Sequence, residues 1–196
     1  MDLPSRINEH FKQHVLVTSQ LAPLLIEPIQ QASEIISESL LARKKVLCCG
    51  NSVCAAHAQY LTSRLMGHLS FERPALAAIN LAQDSQLLSA MAINNEFQQV
   101  FSRQVAALGE PQDVLFVMCL SGTSDNLVAA IQTAREQGLQ VIAMLGGDGG
   151  EVIETLRDSD VLISIPTHEV ALLQEIFIIV MHCICDAVDS ILLGVE

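Results

Sequence analysis

The sequence predicts an α/β fold: a three-layer α/β/α sandwich with a five-stranded parallel sheet, preceded by N-terminal helices. Three observations predict it. Five apolar runs lack polar–apolar alternation, which is typical of strands buried on both faces of a parallel sheet. Helical periodicity follows these runs, as right-handed β–α–β crossovers require. Hydrophobic residues make up 51% of the 196 residues, which supplies a core and excludes wholesale disorder.

The first forty or so residues are predicted to be helical, because apolar residues recur at helical spacing in two runs. Pro23 stands between the runs and is predicted to break the helix there. The runs consist of Ile7, Phe11, Val15 and Leu16, and then of Ile26, Ile29, Ala32, Ile35, Ile36 and Leu40.

The rest of the chain alternates between strand and helix patterns. Helices are predicted to end at Gly67 and Gly138, since glycine is a common helix stop signal. Strands are predicted at residues 44–50, 75–81, 113–120, 139–146 and 160–166. Helices are predicted at residues 52–67, in two stretches within 85–108, from about 125 to 138, and from about 169 to 193.

Ligands of such sheets bind beside the carboxyl ends of the strands, so the loops there are the candidate ligand loops. They span Gly50–Cys54, Leu120–Asp125 and Gly146–Gly150. Hydroxyl residues in the first two loops precede helices, where their oxygens and the backbone N–H groups can hold a phosphate. They are equally typical of helix N-caps, so both interpretations stay open. The glycines of the third loop permit positive φ, and a functional and a structural interpretation are equally good there.

The charge balance excludes some classes of partner. Ten basic residues oppose 22 acidic ones, which gives a net charge of −12. A chain this acidic is a poor direct binder of nucleic acid or of anionic membrane. The longest stretch without charge, Val46–Ser63, holds polar residues and is no membrane span. Because the N-terminus has no signal-peptide pattern either, we expect a cytoplasmic protein.

The six cysteines are expected to be reduced core thiols. The chain contains no CxxC pair. His182, Cys183 and Cys185 resemble a metal cluster by composition, but their spacing on a helix does not bring all three to one point. The cysteines are Cys48, Cys49, Cys54, Cys119, Cys183 and Cys185.

Several segments resemble the sugar isomerase (SIS) family, in the branch of phosphoheptose isomerase and the DnaA initiator-associating protein. They are CGNSVCAAHAQYL, ERPALAAINL, FSRQVAALGEPQDVLFVMCLSGTSDNLVAAI, GGDGGEV and LLQEIFIIVMHCICDAVD. The resemblance covers nearly the whole chain. It implies the flavodoxin-like SIS fold, a single SIS domain over residues 1–196, and an oligomerisation role for the helical segment 1–43. The apolar faces built on Ile7, Phe11 and Val15 and on Ile29 and Ile36 fit that role.

The resemblance also implies site residues. The isomerase uses a metal, usually zinc, at a subunit interface, and Gln174 and His182 match its metal-associated glutamine and histidine. Its metal histidine and catalytic glutamate are replaced here by Tyr60 and Arg64. Because arginine cannot ligate a cation, we predict no metal site, and zinc only if the isomerase alternative holds. His57, one helical turn before Tyr60, is a candidate substitute; otherwise it is a cleft or interface histidine.

For the phosphate and sugar we predict contacts in two loops, although Val53 and Leu120, which stand where the isomerase has a glycine and a threonine, cannot donate from their side chains. The predicted contacts are Asn51, Ser52, Ser121, Gly122, Thr123 and Ser124. The apolar C-terminal residues Ile191–Leu193 are expected to be buried in a dimer; if exposed, they would contact a partner.

Three functional hypotheses follow. The main one is a non-catalytic SIS protein that binds the replication initiator DnaA as a homotetramer, since the DnaA-associating branch also lacks the glutamate. The alternative is a divergent phosphoheptose isomerase that converts sedoheptulose 7-phosphate to D-glycero-D-manno-heptose 7-phosphate, with His182 and Gln174 as catalytic residues. The third is a phosphosugar sensor without turnover. The expected partners are the chain itself as homodimer or homotetramer, DnaA and a phosphosugar.

Overall fold

The computed structural model describes residues 2–70 and 72–194, and it confirms the predicted α/β class. Five parallel strands form one sheet in the order β2-β1-β3-β4-β5. The strands are β1 (Val46–Gly50), β2 (Ala78–Asn80), β3 (Val114–Cys119), β4 (Gln140–Gly146) and β5 (Val161–Ile165). The helices are α1 (Leu3–Leu41), α2 (Val53–Met66), α3 (Ser85–Ile93), α4 (Val100–Leu108), α5 (Asp125–Glu136), α6 (Gly150–Glu154) and α7 (Val170–Leu193). Met1, at the start of the predicted helical segment, and Glu196, at the end of the predicted domain, lie outside the described residues.

The sheet separates two apolar cores, as a three-layer sandwich requires. One core joins α1, α2 and α7 to the sheet, and the other joins α3, α4, α5 and α6 to its opposite face. Strands β1, β3 and β4 are buried almost throughout, which explains their continuous apolar sequence. The predicted second strand is shortened to three residues because β2 lies at the sheet edge and pairs only with β1.

The predicted break at Pro23 is wrong, because α1 is a single helix of 39 residues that contains both Pro23 and Pro28. Each internal proline removes one helical hydrogen bond, at a cost of about 3 kcal/mol. Burial of apolar side chains on both sides of the prolines offsets this cost. Those side chains include Leu21, Leu25, Ala32 and Ile36.

The two apolar faces predicted for subunit contacts differ in their exposure. Ile36 is fully buried in the chain's own core, so that part of the prediction is wrong. Ile7, Phe11 and Val15 are 51%, 66% and 64% exposed, and Leu3 continues the same stripe at four-residue spacing. Oligomerisation through this stripe stays a prediction.

Helix α7 is long and apolar enough to cross a membrane by length and composition, although acidic residues interrupt its apolar sequence. One such helix is weak evidence, since core helices have the same composition. Its buried face packs in the core with α1 and α2, which accounts for its hydrophobicity. At its end, Leu192 packs partly on that core, whereas Ile191 and Leu193 are 46% and 42% exposed.

Arg73, in the ERP segment before β2, ties α2 to α7. Its guanidinium pairs with the buried carboxylate of Asp189 on α7. It also donates to the carbonyls of Arg64, Leu65 and Gly67 at the end of α2, at 2.8–3.0 Å. Because the last carbonyls of a helix have no partner within it, the arginine supplies hydrogen bonds to groups at the end of α2 that the helix itself leaves unpaired.

Candidate functional site

The order in which the chain adds strands across the parallel sheet reverses between β1 and β3. The predicted ligand loops lie at that point. Strand β2 lies on one side of β1, and β3, β4 and β5 follow on the other. Open α/β sheets bind ligands in the crevice that such a reversal creates at the carboxyl ends of the strands. Asn51 and Ser52 follow β1, and Ser121–Ser124 follow β3, so the structure brings the predicted residues to the two sides of this crevice.

A pair of amide side chains joins these two loops. The Nδ2 group of Asn51 donates to Oδ1 of Asn126 at 2.9 Å, and Nδ2 of Asn126 donates to Oδ1 of Asn51 at 2.9 Å. Asn126 is buried at the start of α5, with 4% exposure. Sequence reasoning missed Asn126. The available signal was an asparagine placed just after the hydroxyl loop, opposite the asparagine that follows the neighbouring strand.

The loop after β3 is held from within by hydroxyl and thiol contacts. The hydroxyl oxygens of Ser121 and Thr123 are 3.1 Å apart. The backbone N–H of Gly122 donates to Sγ of Cys119 at 3.2 Å, and Oγ of Ser124 lies 3.7 Å from the same sulfur. The Cys119 sulfur thus accepts one of the loop's backbone N–H groups and contacts the Ser124 hydroxyl, while Ser121 and Thr123 are exposed.

Gly122 packs against the glycine-rich loop after β4. Its φ is +69°, and a Cβ atom there would lie 2.0 Å from the carbonyl carbon and oxygen of Gly149. The carbonyl of Gly122 accepts a hydrogen bond from N–H of Val152 on α6 at 2.9 Å. The third predicted loop therefore supports the second by backbone contact, which favours the structural interpretation of its glycines.

The helix N-caps bear on the two interpretations of the hydroxyl residues. Ser52 is the N-cap of α2 and Ser124 the N-cap of α5, yet neither side chain accepts a capping hydrogen bond from the described backbone. The hydroxyls of both serines are therefore not used for capping. This is the arrangement expected if they contact a ligand.

Ser52 has a backbone conformation that favours glycine, with φ 54° and ψ −123°. Non-glycine residues in such regions store about 1–3 kcal/mol of strain. We expect Ser52→Gly to raise the free energy of unfolding by about 1 kcal/mol, since part of the relief is lost to the greater freedom of the unfolded chain. Urea unfolding measures this. A variant less stable than the wild type would contradict the assignment of strain.

A cleft of about 390 Å³ opens beside the amide pair and the hydroxyl loop. Of the eight described residues that line it, two are carboxylates and none is cationic. A bound anion there must rely on N–H and hydroxyl donors and on the helix N-termini. The lining residues are Asn51, Phe97, Gln98, Thr123, Ser124, Asp125, Asn126 and Glu151, and sequence reasoning singled out only three of them.

The residues at the family's metal positions form a contact of their own. The hydroxyl oxygen of Tyr60 lies 2.8 Å from Nε2 of His182, and the guanidinium carbon of Arg64 lies 5.4 Å from the centre of the Tyr60 ring. Nε2 of Gln174 donates instead to the carbonyl of Val170 at 3.2 Å. The Tyr60 hydroxyl thus hydrogen-bonds to the imidazole nitrogen that a metal ion would need as its ligand. The positively charged guanidinium of Arg64 lies beside the same tyrosine ring.

These residues do not fit a zinc ion. Within residues 2–70 and 72–194, no group of three or more histidine, cysteine or acidic side chains is arranged to hold a metal. Burial also raises the pKa of the Cys54 thiol to about 12, so this group is a neutral thiol in the folded protein at neutral pH.

His57 is buried, with 6% exposure, and its ring packs on Phe177 of α7 at 5.7 Å between ring centres. No described residue offers Nδ1 a hydrogen-bond partner. Burial lowers the pKa of His57 from its ordinary value of 6.5. The imidazole is therefore neutral in the folded protein at neutral pH.

This burial predicts an acid-sensitive stability. As the pH falls below about 6.5, His57 becomes protonated in the unfolded chain while it stays neutral in the folded chain. Acid therefore stabilises the unfolded chain, and the free energy of unfolding falls as the pH decreases. We expect His57→Phe to reduce the loss of stability between pH 7.5 and pH 5, measured by urea unfolding at both pH values. His68→Gln, at an exposed position, serves as the control and should leave the pH dependence unchanged. Equal pH dependence in wild type and His57→Phe would show that the imidazole does not cause it.

Comparison with known proteins identifies the family. Residues 9–146 match the model of the SIS domain family. A protein of Aromatoleum aromaticum named phosphoheptose isomerase is 43% identical over 196 residues, which cover 100% of this chain and 99% of that protein. A protein of the same name from an Azoarcus species is 40% identical and is covered over 100% of both chains.

Two solved structures extend the comparison to three dimensions. The phosphoheptose isomerase of Neisseria gonorrhoeae is 36% identical, with a TM-score of 0.90 over 96% of this chain and 100% of that one. A phosphoheptose isomerase of Francisella tularensis is 35% identical, with a TM-score of 0.91 over 97% of this chain and 100% of that one. These findings confirm the resemblance drawn from the loop and helix motifs. The chain belongs to the SIS domain family, within the group similar to phosphoheptose isomerases.

Proposed function

We propose that this chain binds a phosphorylated sugar in the crevice between β1 and β3. The observation that carries the proposal is the pair of N-cap serines, Ser52 and Ser124, whose hydroxyls are not used for capping at the start of two neighbouring helices. Two neighbouring helix N-termini that each carry an N-cap hydroxyl suit a phosphate group. The amide and carboxylate side chains of the adjacent cleft suit the hydroxyls of a sugar.

The relatives narrow the class of sugar. Those reported above carry the name phosphoheptose isomerase and match this chain over its full length. The names favour the isomerase alternative over the initiator-associating hypothesis. Sedoheptulose 7-phosphate, the isomerase substrate, is therefore the first ligand to test.

Isomerisation itself is the second candidate function. It moves a proton between adjacent carbons of the sugar, and this requires a base. Tyr60 and Arg64 stand where the resemblance places a metal histidine and the catalytic glutamate, and zinc does not fit the residues present. His182, in contact with the Tyr60 hydroxyl, is the remaining candidate for proton transfer.

The other expectations remain proposals. Binding of the initiator DnaA by a homotetramer is compatible with the altered metal position, because that role requires no turnover. Cytoplasmic localisation fits a sugar-phosphate ligand and a fold whose apolar helix α7 is packed in the core.

Calorimetric titration with sedoheptulose 7-phosphate tests the binding proposal. We expect the wild type to bind and Ser124→Ala to bind about 10- to 100-fold more weakly, because hydrogen bonds to charged groups contribute about 1.5–3 kcal/mol. Thr133→Val, which removes a hydroxyl bonded to the α5 backbone away from the cleft, should leave the affinity unchanged. Equal affinities of wild type and Ser124→Ala would contradict the assigned phosphate site.

The same samples distinguish binding from turnover. Conversion of sedoheptulose 7-phosphate, followed by NMR, would establish the isomerase if His182→Ala abolishes it. Binding without conversion would favour the non-catalytic hypothesis, and retention of DnaA on the immobilised protein would then support the initiator-associating role.

A further inference from the structure

We propose that Asn51 and Asn126 form a clasp that fixes the spacing of the two ligand loops, and that Asn126 is thereby a positioning residue of the cleft. The clasp is defined as the reciprocal amide pair of these two side chains. The consequence for ligand affinity rests on the proposed function. The mechanical coupling of the two loops does not.

The position of the clasp in the sheet supports this role. Asn51 directly follows β1 and Asn126 is the second residue of α5, which follows β3. These strands are parallel neighbours, and the order in which the chain adds strands across the sheet reverses between them. The two hydrogen bonds of 2.9 Å therefore cross the mouth of the crevice and join segments 75 residues apart in sequence.

The hydrogen-bonding capacity of the amides supports it further. An asparagine side chain offers two N–H donors and an oxygen with two lone pairs. The reciprocal pair uses one donor and one lone pair of each residue. Both residues line the 390 Å³ cleft, so the clasp fixes the planes of two amides that retain capacity for a ligand.

The strained residue beside the clasp is an independent observation. Ser52 adopts φ 54° without a capping hydrogen bond. Such conformations persist only where the surroundings hold them. The clasp, made by the preceding residue Asn51, is a contact that can hold the β1–α2 loop in this conformation.

Hydrogen exchange of the ligand-free protein tests the coupling directly. In Asn126→Ala we expect the amides of residues 51–54 to exchange about tenfold faster, although the substitution lies in the other loop. Gln104→Ala is the control, because Gln104 is a half-buried amide that donates to the carbonyls of Leu81 and Val100 and does not line the cleft. Unchanged exchange at residues 51–54 in Asn126→Ala would overturn the proposal.

A double-mutant cycle on the affinity for sedoheptulose 7-phosphate distinguishes positioning from separate ligand contacts. We expect Asn51→Ala and Asn126→Ala each to weaken binding about tenfold, and the double variant to bind about as weakly as the single ones. A loss of about 100-fold in the double variant, the product of the two single losses, would overturn the clasp as the cause.

Urea unfolding of each variant accompanies the cycle, so that affinities are compared only where the protein is folded. Failure of the wild type to bind the sugar phosphate would refute the proposed function. The exchange experiment would still decide on the clasp, because it needs no ligand.

Discussion

Replacing Arg73 by methionine is expected to lower the free energy of unfolding by about 3–5 kcal/mol, because the substitution leaves the carboxylate of Asp189 buried and unpaired. Both side chains of the pair are 1% exposed. The substitution also removes the donors to the carbonyls of Arg64, Leu65 and Gly67. Urea unfolding followed by circular dichroism measures the change.

An exposed ion pair provides the control. Lys44 contacts Glu110 at 3.0 Å, and the Glu110 side chain is 61% exposed. We expect Lys44→Met to cost at most about 1 kcal/mol. The double variant Arg73→Met/Asp189→Leu should recover part of the loss, since it removes the unpaired charge. If Arg73→Met were no more harmful than Lys44→Met, the pair would not hold α2 to α7.

Replacing Gly122 by alanine is expected to disrupt the β3–α5 loop and to weaken binding of sedoheptulose 7-phosphate more than tenfold, since misplaced donors lose their hydrogen bonds to the phosphate. The new Cβ would lie 2.0 Å from the backbone of Gly149, so one of the two loops must move. The φ of +69° adds conformational strain of about 1–2 kcal/mol for any residue with a side chain. Calorimetry measures the affinity, and urea unfolding measures the accompanying loss of stability.

Gly138→Ala separates the two effects. Gly138 has a φ of +77°, but the nearest atom to an added Cβ is 3.7 Å away. This variant carries the conformational strain without the clash, and it lies at the end of α5 away from the cleft. We expect its affinity for the sugar phosphate to equal that of the wild type. A comparable loss of affinity in both variants would show that general destabilisation, rather than loop contact, weakens binding.

The sheet was predictable because strands buried on both faces have a continuous apolar sequence. Contacts between residues far apart in the chain leave no such local pattern. Strands such as Val114–Cys119 are apolar throughout because both faces of the sheet are covered. The local signal of Pro23 favoured a break, but burial of Leu21 and Leu25 outweighs the lost hydrogen bond. The importance of Arg73 was equally hidden, since its partner Asp189 lies 116 residues further along the chain.

The candidate site was predictable where it follows from strand ends. The loops at Asn51–Ser52 and Ser121–Ser124 lie where the strand pattern placed them. Asn126 was not singled out, because its meaning depends on the register that sets β3 beside β1. The sequence showed that Tyr60 and Arg64 depart from the family pattern, but the contact between Tyr60 and His182 required the packing of α2 against α7.

The charge of the cleft wall affects how fast a ligand arrives. Asp125 and Glu151 line the cleft and no cation does so among its eight described lining residues. Electrostatic steering, which accelerates the capture of charged ligands by oppositely charged sites, is therefore absent for a phosphate dianion. Association would proceed at the slower rate of an unguided encounter, and tight binding would depend on slow dissociation. The proposed phosphosugar would therefore exchange slowly at this site.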